Sequence, residues 1–325
     1  MPLRTIFFGT PEFAVPTLTK LIDSPDIEII GIVTQPDARR GRGNQLLAPP
    51  VKTAALERRL TCPIWQPERL KKDEAVLSVL ADLAADVFVV VAYGQILSQR
   101  ILDLPRYGCI NVHGSLLPKY RGAAPIQWAI ANGETVTGIT TMQMDAGIDT
   151  GAMLLKASLE ISPEDNSETL SAKLAEIGGD LLLQTLGNLS QIAPVPQDDS
   201  AVAANCKYAP MITKEQFILD WSRSAVHINQ QIRAFYPNCY TTYQGQRLKV
   251  LATTPELTTD SEAISDHGHP GTITAIRKGS GFVVKTGTGD LVITSVQPAG
   301  KKIQSGWDFA NGARLQVGTV LGQPE

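Results

Sequence analysis

The first half of the chain alternates apolar, strand-like runs with stretches of helical periodicity, and this order constrains the fold more than any other feature. The runs that match short buried strands are residues 5–8, 27–33, 87–92 and 109–112. Apolar residues recur with helical spacing between them, at residues 11–22, 50–60 and 73–85. This alternation predicts an α/β fold, with a Rossmann-like, mostly parallel sheet that is covered by helices on both faces.

The segments that follow the predicted strands contain most of the unusual residues of this half. In an open parallel sheet the ligand crevice lies beyond the carboxyl ends of the strands. We therefore expect four segments to lie close together and to border a site. They are residues 9–10, 34–37, 93–94 and 113–114.

The second half has a different pattern. Helical spacing at residues 168–189 and 214–235 is followed by five short β-type stretches at 240–243, 247–252, 271–277, 281–286 and 290–296. Glycine-rich turns separate these stretches, which predicts a small C-terminal β-barrel of the oligonucleotide-binding (OB) type. Residues 191–207 contain two prolines and little periodicity, as is typical of a linker. The expected division is therefore an α/β domain at 1–190, a linker at 191–207 and an OB-like domain at 208–325.

Composition narrows the class of protein. A length of 325 residues suits two domains, and no apolar run approaches the roughly 20 residues that cross a bilayer. Residues 1–8 do not have the pattern of a signal peptide. Four cysteines are scattered without metal-ligand spacing, which favours reduced thiols in a cytoplasmic protein. The default expectation is a monomer.

Charge is divided unevenly along the chain. Residues 1–205 have 17 basic and 23 acidic residues, a net charge of −6, whereas residues 206–325 have 12 and 9, a net charge of +3. A basic second half is compatible with a polyanionic partner, although a chance division of charge would look the same.

Two clusters in the first half carry groups that are suited to acyl-group chemistry. Asn111 and His113 lie two residues apart at a strand end, so both side chains point to one side of the sheet. A carboxamide and an imidazole there can stabilise an oxyanion and relay a proton. The loop at 145–151 offers Asp149, whose carboxylate can orient an imidazole. The alternatives are an ordinary core-edge pair and an ordinary glycine-rich turn.

A third cluster is a loop with three arginines, Arg39, Arg40 and Arg42, directly after the second predicted strand. Guanidinium groups can grip phosphates through forked hydrogen bonds, which favours contact with an RNA backbone. A solvated basic loop without a partner is the alternative. The turn at residues 9–12 lacks the glycines of a dinucleotide-binding motif.

Together, these segments resemble the methionyl-tRNA formyltransferase family, and the wider group of folate-dependent formyltransferases more loosely. The resemblance covers nearly the whole chain and rests on FGTPEF at 8–13, TQPD at 34–37, GRG at 41–43, VVAYG at 90–94, CINVHGSLLP at 109–118, RGAAPIQ at 121–127, MQMD at 142–145, GIDTG at 147–151, DW at 220–221, IRAF at 232–235 and QPAGKK at 297–302.

The resemblance implies roles for individual residues. The family's catalytic residues would be Asn111, His113 and Asp149. Its folate-binding residues would be Ser115, Leu116, Leu117 and Pro118, with Val91, Ala92 and Tyr93 beside the pterin ring. Its contacts to tRNA would fall on Arg40, Arg42, Lys207, Lys214, Lys301 and Lys302.

The resemblance also implies a reaction, in which a formyl group passes from 10-formyltetrahydrofolate to the amino group of methionine on initiator tRNA, without a metal. Three alternatives remain open at this point. One is a folate formyltransferase that acts on a ribonucleotide amine or an amino sugar, although it would not explain the second domain. The others are a folate deformylase, which would carry an extra domain before the first strand, and an RNA-binding module without catalysis.

Overall fold

A computed structural model describes residues 1–40, 45–197, 208–256 and 268–322 of the chain. The chain divides into two compact units. The first unit contains residues 1–125, 136–160 and 171–209, and the second contains residues 126–135, 161–170 and 210–325. The functional division at residues 190 and 208 stays a prediction.

A mixed sheet forms the centre of the first unit. Its strands and a neighbouring hairpin are β1 (Leu3–Gly9), β2 (Ile27–Val33), β3 (Ala38–Arg40), β4 (Gln45–Leu47), β5 (Ile64–Trp65), β6 (Val87–Val91), β7 (Cys109–His113), β8 (Val136–Gln143) and β9 (Met153–Glu160). The seven-stranded order is β5-β2-β1-β6-β7-β8-β9, and β3 pairs only with β4. The first five strands of that order are parallel, whereas β8 and β9 extend the sheet in antiparallel fashion. The predicted mostly parallel sheet is confirmed.

Helices accompany the strands in the predicted alternation. Their bounds are α1 (Val15–Asp23), α2 (Pro50–Glu57), α3 (Glu74–Asp82), α4 (Gln99–Leu102), α5 (Pro125–Ala131) and α6 (Ser167–Gly187). The helix predicted at 73–85 begins where Asp73 caps it, because the Asp73 carboxylate accepts a hydrogen bond from the backbone N–H of Val76 at 3.1 Å. The helix predicted at 11–22 is divided, since a 3₁₀ turn at Glu12–Ala14 precedes α1.

The core on one side of this sheet is built around aromatic rings. All five residues of β6 are buried, which explains why this strand is a continuous apolar run rather than an alternating one. The ring of Phe8 lies 5.1 Å from that of Phe88 and 5.5 Å from that of Tyr93, the latter edge to face. Tyr93 thereby fixes the chain just beyond the end of β6.

Strands β8 and β9 were not predicted from the sequence. The six central residues of β8 are buried, and three of them are threonines. Hydrogen bonds satisfy two of these hydroxyl groups: Thr140 donates to the carbonyl of Ser115 at 2.7 Å, and Thr141 bonds the hydroxyl of Thr185 at 2.8 Å. Buried threonines weaken the hydropathy signal, so the strand does not stand out.

The second unit contains an antiparallel sheet. Its elements are α7 (Ala225–Ala234), β10 (Tyr240–Tyr243), β11 (Gln246–Glu256), β12 (Ile273–Arg277), β13 (Gly281–Lys285), β14 (Asp290–Pro298), β15 (Gln304–Ser305) and α8 (Gly306–Gly312). The order is β10-β11-β14-β13-β12, with β15 paired to β14. All five predicted strands are present, which confirms the expected small β domain. Within the described residues, no ladder joins the end strands β10 and β12.

The single helix predicted at 214–235 is wrong in its first half. A 3₁₀ turn at Lys214–Phe217 comes first, and α7 starts only after Ser224, whose hydroxyl accepts from the backbone N–H of His227 at 3.2 Å. Serine favours this capping position, so it marks a new helix start. Across the described parts of the chain, no helix combines the length and the hydropathy that a membrane span requires.

We predict that Phe8→Ala lowers the free energy of unfolding by about 3–5 kcal/mol, because it empties a fully buried site beside two other aromatic rings. Chemical denaturation monitored by circular dichroism measures this change. Leu56→Ala on α2 is the matched control, since Leu56 is 57% exposed. A loss for Phe8→Ala no larger than that of the control would contradict this description of the core.

Candidate active site

The carboxyl ends of β1 and β6 form the point where the strand order of the sheet reverses. Thr10 follows β1, and its hydroxyl donates to the backbone carbonyl of Tyr93 at 2.8 Å. The side-chain amide of Gln35, which follows β2, donates to the same carbonyl at 3.1 Å. The expected proximity of these three segments is therefore confirmed. A reversal of this kind leaves a crevice at the strand ends.

Asn111, His113 and Asp149 lie together beside this edge. Asn111 and His113 are both on β7, and Asp149 belongs to the loop between β8 and β9. The Asn111 amide donates to Asp149 Oδ1 at 3.5 Å, and His113 Nδ1 lies 3.6 Å from the same oxygen. Three residues that are up to 38 positions apart are thus brought to one place. The period of two along β7 explains why its two side chains meet the same partner.

The orientation of the His113 ring is set by its other nitrogen. His113 is 5% exposed, and its Nε2 lies 3.0 Å from the backbone carbonyl of Tyr120. A carbonyl oxygen only accepts hydrogen bonds, so Nε2 must carry the hydrogen. Nδ1 is then the nitrogen that faces Asp149, at 3.6 Å from Oδ1.

Both oxygens of the Asp149 carboxylate have partners. Oδ2 accepts a hydrogen bond from the backbone N–H of Gly122 at 2.9 Å, while Oδ1 faces Asn111 and His113. Asp149 has a φ of +52°, in the left-handed region. Aspartate tolerates this conformation better than most residues. The loop therefore holds the carboxylate by a backbone turn as well as by its hydrogen bonds.

The four residues predicted to bind folate form a tight turn after β7. Ser115 and Leu117 are buried, whereas Leu116 and Pro118 are half-buried. The Ser115 hydroxyl donates to the carbonyl of Lys119 at 2.6 Å. The turn leads directly to Tyr120, so the hydrogen bond to Lys119 helps to fix the Tyr120 carbonyl that anchors His113. Contact of this turn with folate stays a prediction.

A positive charge also supports the turn. The ammonium group of Lys156, on β9, donates to the carbonyl of Leu117 at 2.5 Å. Burial lowers the pKa of Lys156, because the charged form loses hydration. The hydrogen bond to a carbonyl dipole partly compensates for that loss.

A small cleft of about 140 Å³ has Asp149 on its wall. The other residues around it are Gln95, Ile96, Leu97, Met142, Met144, Asp145, Gly147 and Ile148. A second cleft of about 370 Å³ shares Met144 and Asp145 with the first. The lining of the first cleft is mainly apolar with a few polar groups, as in binding sites for small organic ligands.

Only one of the three residues predicted beside the pterin is exposed. Val91 and Tyr93 are buried, whereas Ala92 is exposed. Burial raises the pKa of the Tyr93 hydroxyl above its usual value. Gln95, Ile96 and Leu97, just after this segment, line the cleft, and contact of residues 91–93 with the pterin stays a prediction. The sequence analysis did not single out these three cleft residues. The signal that marks them is the 75% exposure of the apolar Ile96, which only the structure provides.

The hairpin β3–β4 carries the arginine cluster and is anchored at its base. The Lys52 ammonium donates to both Asp37 oxygens at 2.9 Å, and the Gln66 amide donates to Oδ1 at 2.7 Å. The hydrogen bond from Gln66, followed by that from Lys52, lowers the pKa of Asp37. Arg42 lies outside the described residues, and Arg40 is described only by its backbone in β3.

The remaining residues predicted to contact tRNA are distributed as follows. Lys207 lies outside the described residues, and Lys214 is exposed in a 3₁₀ turn. Lys301 and Lys302 are exposed in the turn after β14. Lys301 borders a cleft of about 260 Å³ together with Arg247.

Arg247 is a further exposed cation that the sequence analysis did not single out. Its guanidinium lies 3.9 Å from the centre of the Tyr240 ring, so a cation is held on the surface of β10–β11. The outward alternation of Arg247 and Lys249 along β11 was the available signal.

The described residues contain no group of three or more His, Cys, Asp or Glu side chains arranged to hold a metal ion. Cys62, Cys109 and Cys239 are free thiols there. Burial raises the pKa of Cys109 to about 12 and that of Cys239 likewise to about 12. These two thiols are therefore packing groups rather than nucleophiles.

Family models match both parts of the chain. A model described as formyl transferase matches residues 3–186. A model described as formyl transferase, C-terminal domain, matches residues 211–314. The first match contains the Asn111, His113 and Asp149 cluster.

Similar proteins include two that are named methionyl-tRNA formyltransferase. The protein from Trichormus variabilis is 54% identical over 337 residues, which cover 98% of this chain and 99% of that protein. The protein from Thermosynechococcus vestitus is 54% identical over 328 residues, which cover 98% and 97%. Similarity of this degree extends through both units.

Solved structures share the fold at lower identity. HypX from Aquifex aeolicus in complex with tetrahydrofolic acid has a TM-score of 0.63 and 14% identity; the match covers 98% of this chain, which spans about half (48%) of that one. An N-formyltransferase from Helicobacter canadensis, in complex with folinic acid and dTDP-3-aminofucose, has a TM-score of 0.62 and 17% identity. That match covers 92% of this chain and 100% of the other. Identities this low establish the fold alone.

The contact between His113 and Tyr120 generates a prediction about the imidazole. In ¹⁵N-labelled protein, long-range ¹H–¹⁵N spectra should show the hydrogen of neutral His113 on Nε2, because a carbonyl occupies that nitrogen's hydrogen-bonding direction. The exposed His227, on α7, serves as the internal reference for an unconstrained ring. A neutral His113 with its hydrogen on Nδ1 would contradict the geometry.

Proposed function

The chain belongs to the methionyl-tRNA formyltransferase family, and we propose from this premise how its residues carry out the reaction. The protein transfers the formyl group of 10-formyltetrahydrofolate to the amino group of methionine on initiator tRNA. The product, N-formylmethionyl-tRNA, is used to initiate translation. The observation that carries this proposal is the meeting of Asn111 and His113 at the Asp149 carboxylate, within the matched formyl transferase region.

The cleft beside Asp149 fits the flat end of a folate. Apolar walls from Ile96, Met142 and Ile148 suit the faces of a bicyclic ring, and Gln95 and Asp145 offer polar groups to its edge. The volume of about 140 Å³ is enough for part of such a molecule, so the rest extends beyond the cleft. Folate supplies the formyl group, while the protein provides orientation, hydrogen bonds and proton transfer.

Asn111 is suited to stabilise the developing oxyanion. Its amide has two N–H groups, of which one faces Asp149 Oδ1 at 3.5 Å. The second N–H can donate to the formyl oxygen as that oxygen gains negative charge. A fixed donor of this kind stabilises the transition state more than the ground state.

His113 is suited to move the proton through Nδ1. As the methionyl nitrogen bonds to the formyl carbon, that nitrogen loses a proton, which the Nδ1 lone pair accepts. The resulting imidazolium is stabilised by the Asp149 carboxylate 3.6 Å away. Nδ1–H can then donate to the oxyanion and return the proton to the folate nitrogen when its bond to the formyl carbon breaks. No covalent bond to the enzyme forms.

The domains divide the work between chemistry and tRNA. Residues 1–190 form the catalytic domain, and residues 208–325 form an OB-like domain that binds tRNA. Arg40 and Arg42 meet the acceptor end, whereas Lys207, Lys214, Lys301 and Lys302 contact the backbone. The exposure of Lys214, Lys301 and Lys302 supports this proposal. The reaction serves translation, so the protein acts in the cytoplasm.

We predict that Asn111→Ala reduces kcat by about 10²–10³-fold, because one oxyanion donor is lost. His113→Ala should reduce kcat by about 10²–10⁴-fold through loss of proton transfer. Single-turnover assays with 10-formyltetrahydrofolate and charged initiator tRNA measure both. Asn188→Ala, which removes an exposed asparagine near the end of α6, is the matched control. Near-normal turnover in Asn111→Ala would refute its assignment.

We also predict that Arg42→Ala weakens binding of methionyl-tRNA and leaves folate binding unchanged. The affinity for tRNA should fall steeply with salt concentration, since cations that grip phosphates release counterions from the RNA. Filter binding for tRNA and fluorescence titration for folate separate the two effects. Arg100→Ala is a control, because Arg100 pairs with Glu74 on the surface. Equal losses for both ligands would argue against a specific tRNA contact.

A different acceptor amine is the main alternative, since an N-formyltransferase bound to an amino sugar nucleotide shares the fold. The same assay distinguishes the two when dTDP-amino sugar replaces charged tRNA. Formyl transfer to the sugar nucleotide but not to methionyl-tRNA would overturn the proposed acceptor.

A further inference from the structure

Gln197 is a buried glutamine whose hydrogen bonds end at the active-site loop. It is 9% exposed. Its amide nitrogen donates to two backbone carbonyls, those of Asp149 and Gly151, both at 2.8 Å. Its amide oxygen accepts from the Nε of Arg121, also at 2.8 Å. Both N–H groups and the oxygen of this side chain are thus engaged.

The chemistry of these partners leaves one orientation for the amide. Carbonyl oxygens only accept, so they must face the NH₂ group, and a guanidinium only donates, so it must face the oxygen. No other side chain of this length combines two donors with one acceptor. Asparagine is one methylene shorter, and glutamate would place an oxygen against two carbonyl oxygens.

The backbone segment that Gln197 binds, from Asp149 to Gly151, carries the Asp149 carboxylate. Asp149 has a left-handed φ of +52°, and its own carbonyl is the first of the two that Gln197 binds. The hydrogen bonds fix the peptide planes that follow Asp149 and Gly151, and with them the backbone from which the Asp149 side chain projects. A conformation that is sparsely populated by non-glycine residues persists when its surroundings hold it in this way.

A closed series of contacts also joins Gln197 to the second oxygen of the Asp149 carboxylate. Arg121, which binds the Gln197 oxygen, directly precedes Gly122, whose N–H donates to Asp149 Oδ2 at 2.9 Å. Gly122 has a φ of +123°, and a side chain there would collide with the carbonyl of Ala209. The N–H of Ala209 in turn donates to the carbonyl of Arg121 at 2.8 Å. Backbone and carboxylate of Asp149 are therefore held by one connected set of residues.

We infer that Gln197 is a positioning residue for formyl transfer, which orients the Asp149 carboxylate toward Asn111 and His113. The inference rests on the function proposed above. Gln197 acts through Asp149, since its three polar bonds go to Asp149, Gly151 and Arg121. Loss of its donors should misplace the carboxylate without altering either substrate's site.

Gln197→Glu is the sharpest test, because it keeps the size of the side chain and the acceptor for Arg121 while it removes both donors. The expected result is a kcat that falls by roughly 10- to 100-fold, the cost of a small misplacement of a catalytic group. The KM values for 10-formyltetrahydrofolate and methionyl-tRNA should stay near those of the wild type. Gln191→Glu, an exposed glutamine of the same segment, is the matched control and should have wild-type kcat.

A double-mutant cycle with Asp149→Ala separates positioning from a general structural effect. If Gln197 acts through the carboxylate, Gln197→Glu should cost almost nothing once the carboxylate is absent. Additive losses would overturn the inference, as would an unchanged kcat in the single variant or a loss confined to KM. If thermal denaturation shows that Gln197→Glu does not fold, Gln197→Met replaces it in the same cycle. An inactive wild type would instead overturn the proposed function, and the inference with it.

Discussion

The Asp149 carboxylate is the group on which the arrangement of the site depends. Its two oxygens meet β7 through Asn111 and His113, and the turn after β7 through Gly122. None of these contacts is local in sequence, so the site exists only in the folded chain. The carboxylate is 17% exposed, which leaves it accessible from the cleft, while the side chain of its partner His113 is only 6% exposed. Shielding strengthens each of these electrostatic contacts.

The antiparallel extension of the sheet makes this meeting possible. In a fully parallel sheet, a helix returns the chain after each strand, so all strands end at the same edge of the sheet. Here β8 runs antiparallel to β7, and β9 antiparallel to β8. The β8–β9 connection therefore returns beside the start of its neighbour, where Met144 N–H donates to the carbonyl of Cys109. The residues beyond it, up to Gly151, fold back along β7 to place Asp149 beside Asn111 and His113.

Much of this could be predicted from local patterns, and the remainder depends on contacts that are distant in sequence. The strand at 27–33 has the predicted bounds, because a run of isoleucine and valine is an unambiguous signal. Strand β8 was missed because its core-facing threonines look polar until their hydroxyl partners are known. The break before α7 depends on a single capping serine. Gln197 gave no signal, since an isolated glutamine in a proline-containing segment has neither periodicity nor a motif.

The candidate catalytic residues show the same contrast between local patterns and contacts that are distant in sequence. The spacing of Asn111 and His113 along one strand already predicts that the two side chains share a direction, and the structure brings them to one carboxylate. Which imidazole nitrogen is available could not be inferred, because it depends on the Tyr120 carbonyl. The turn after β7 positions that carbonyl through its own hydrogen bonds. This contact changes the chemistry that His113 can perform. With Nε2 committed to a carbonyl, Nδ1 is the nitrogen left for the proton transfer that we propose for His113.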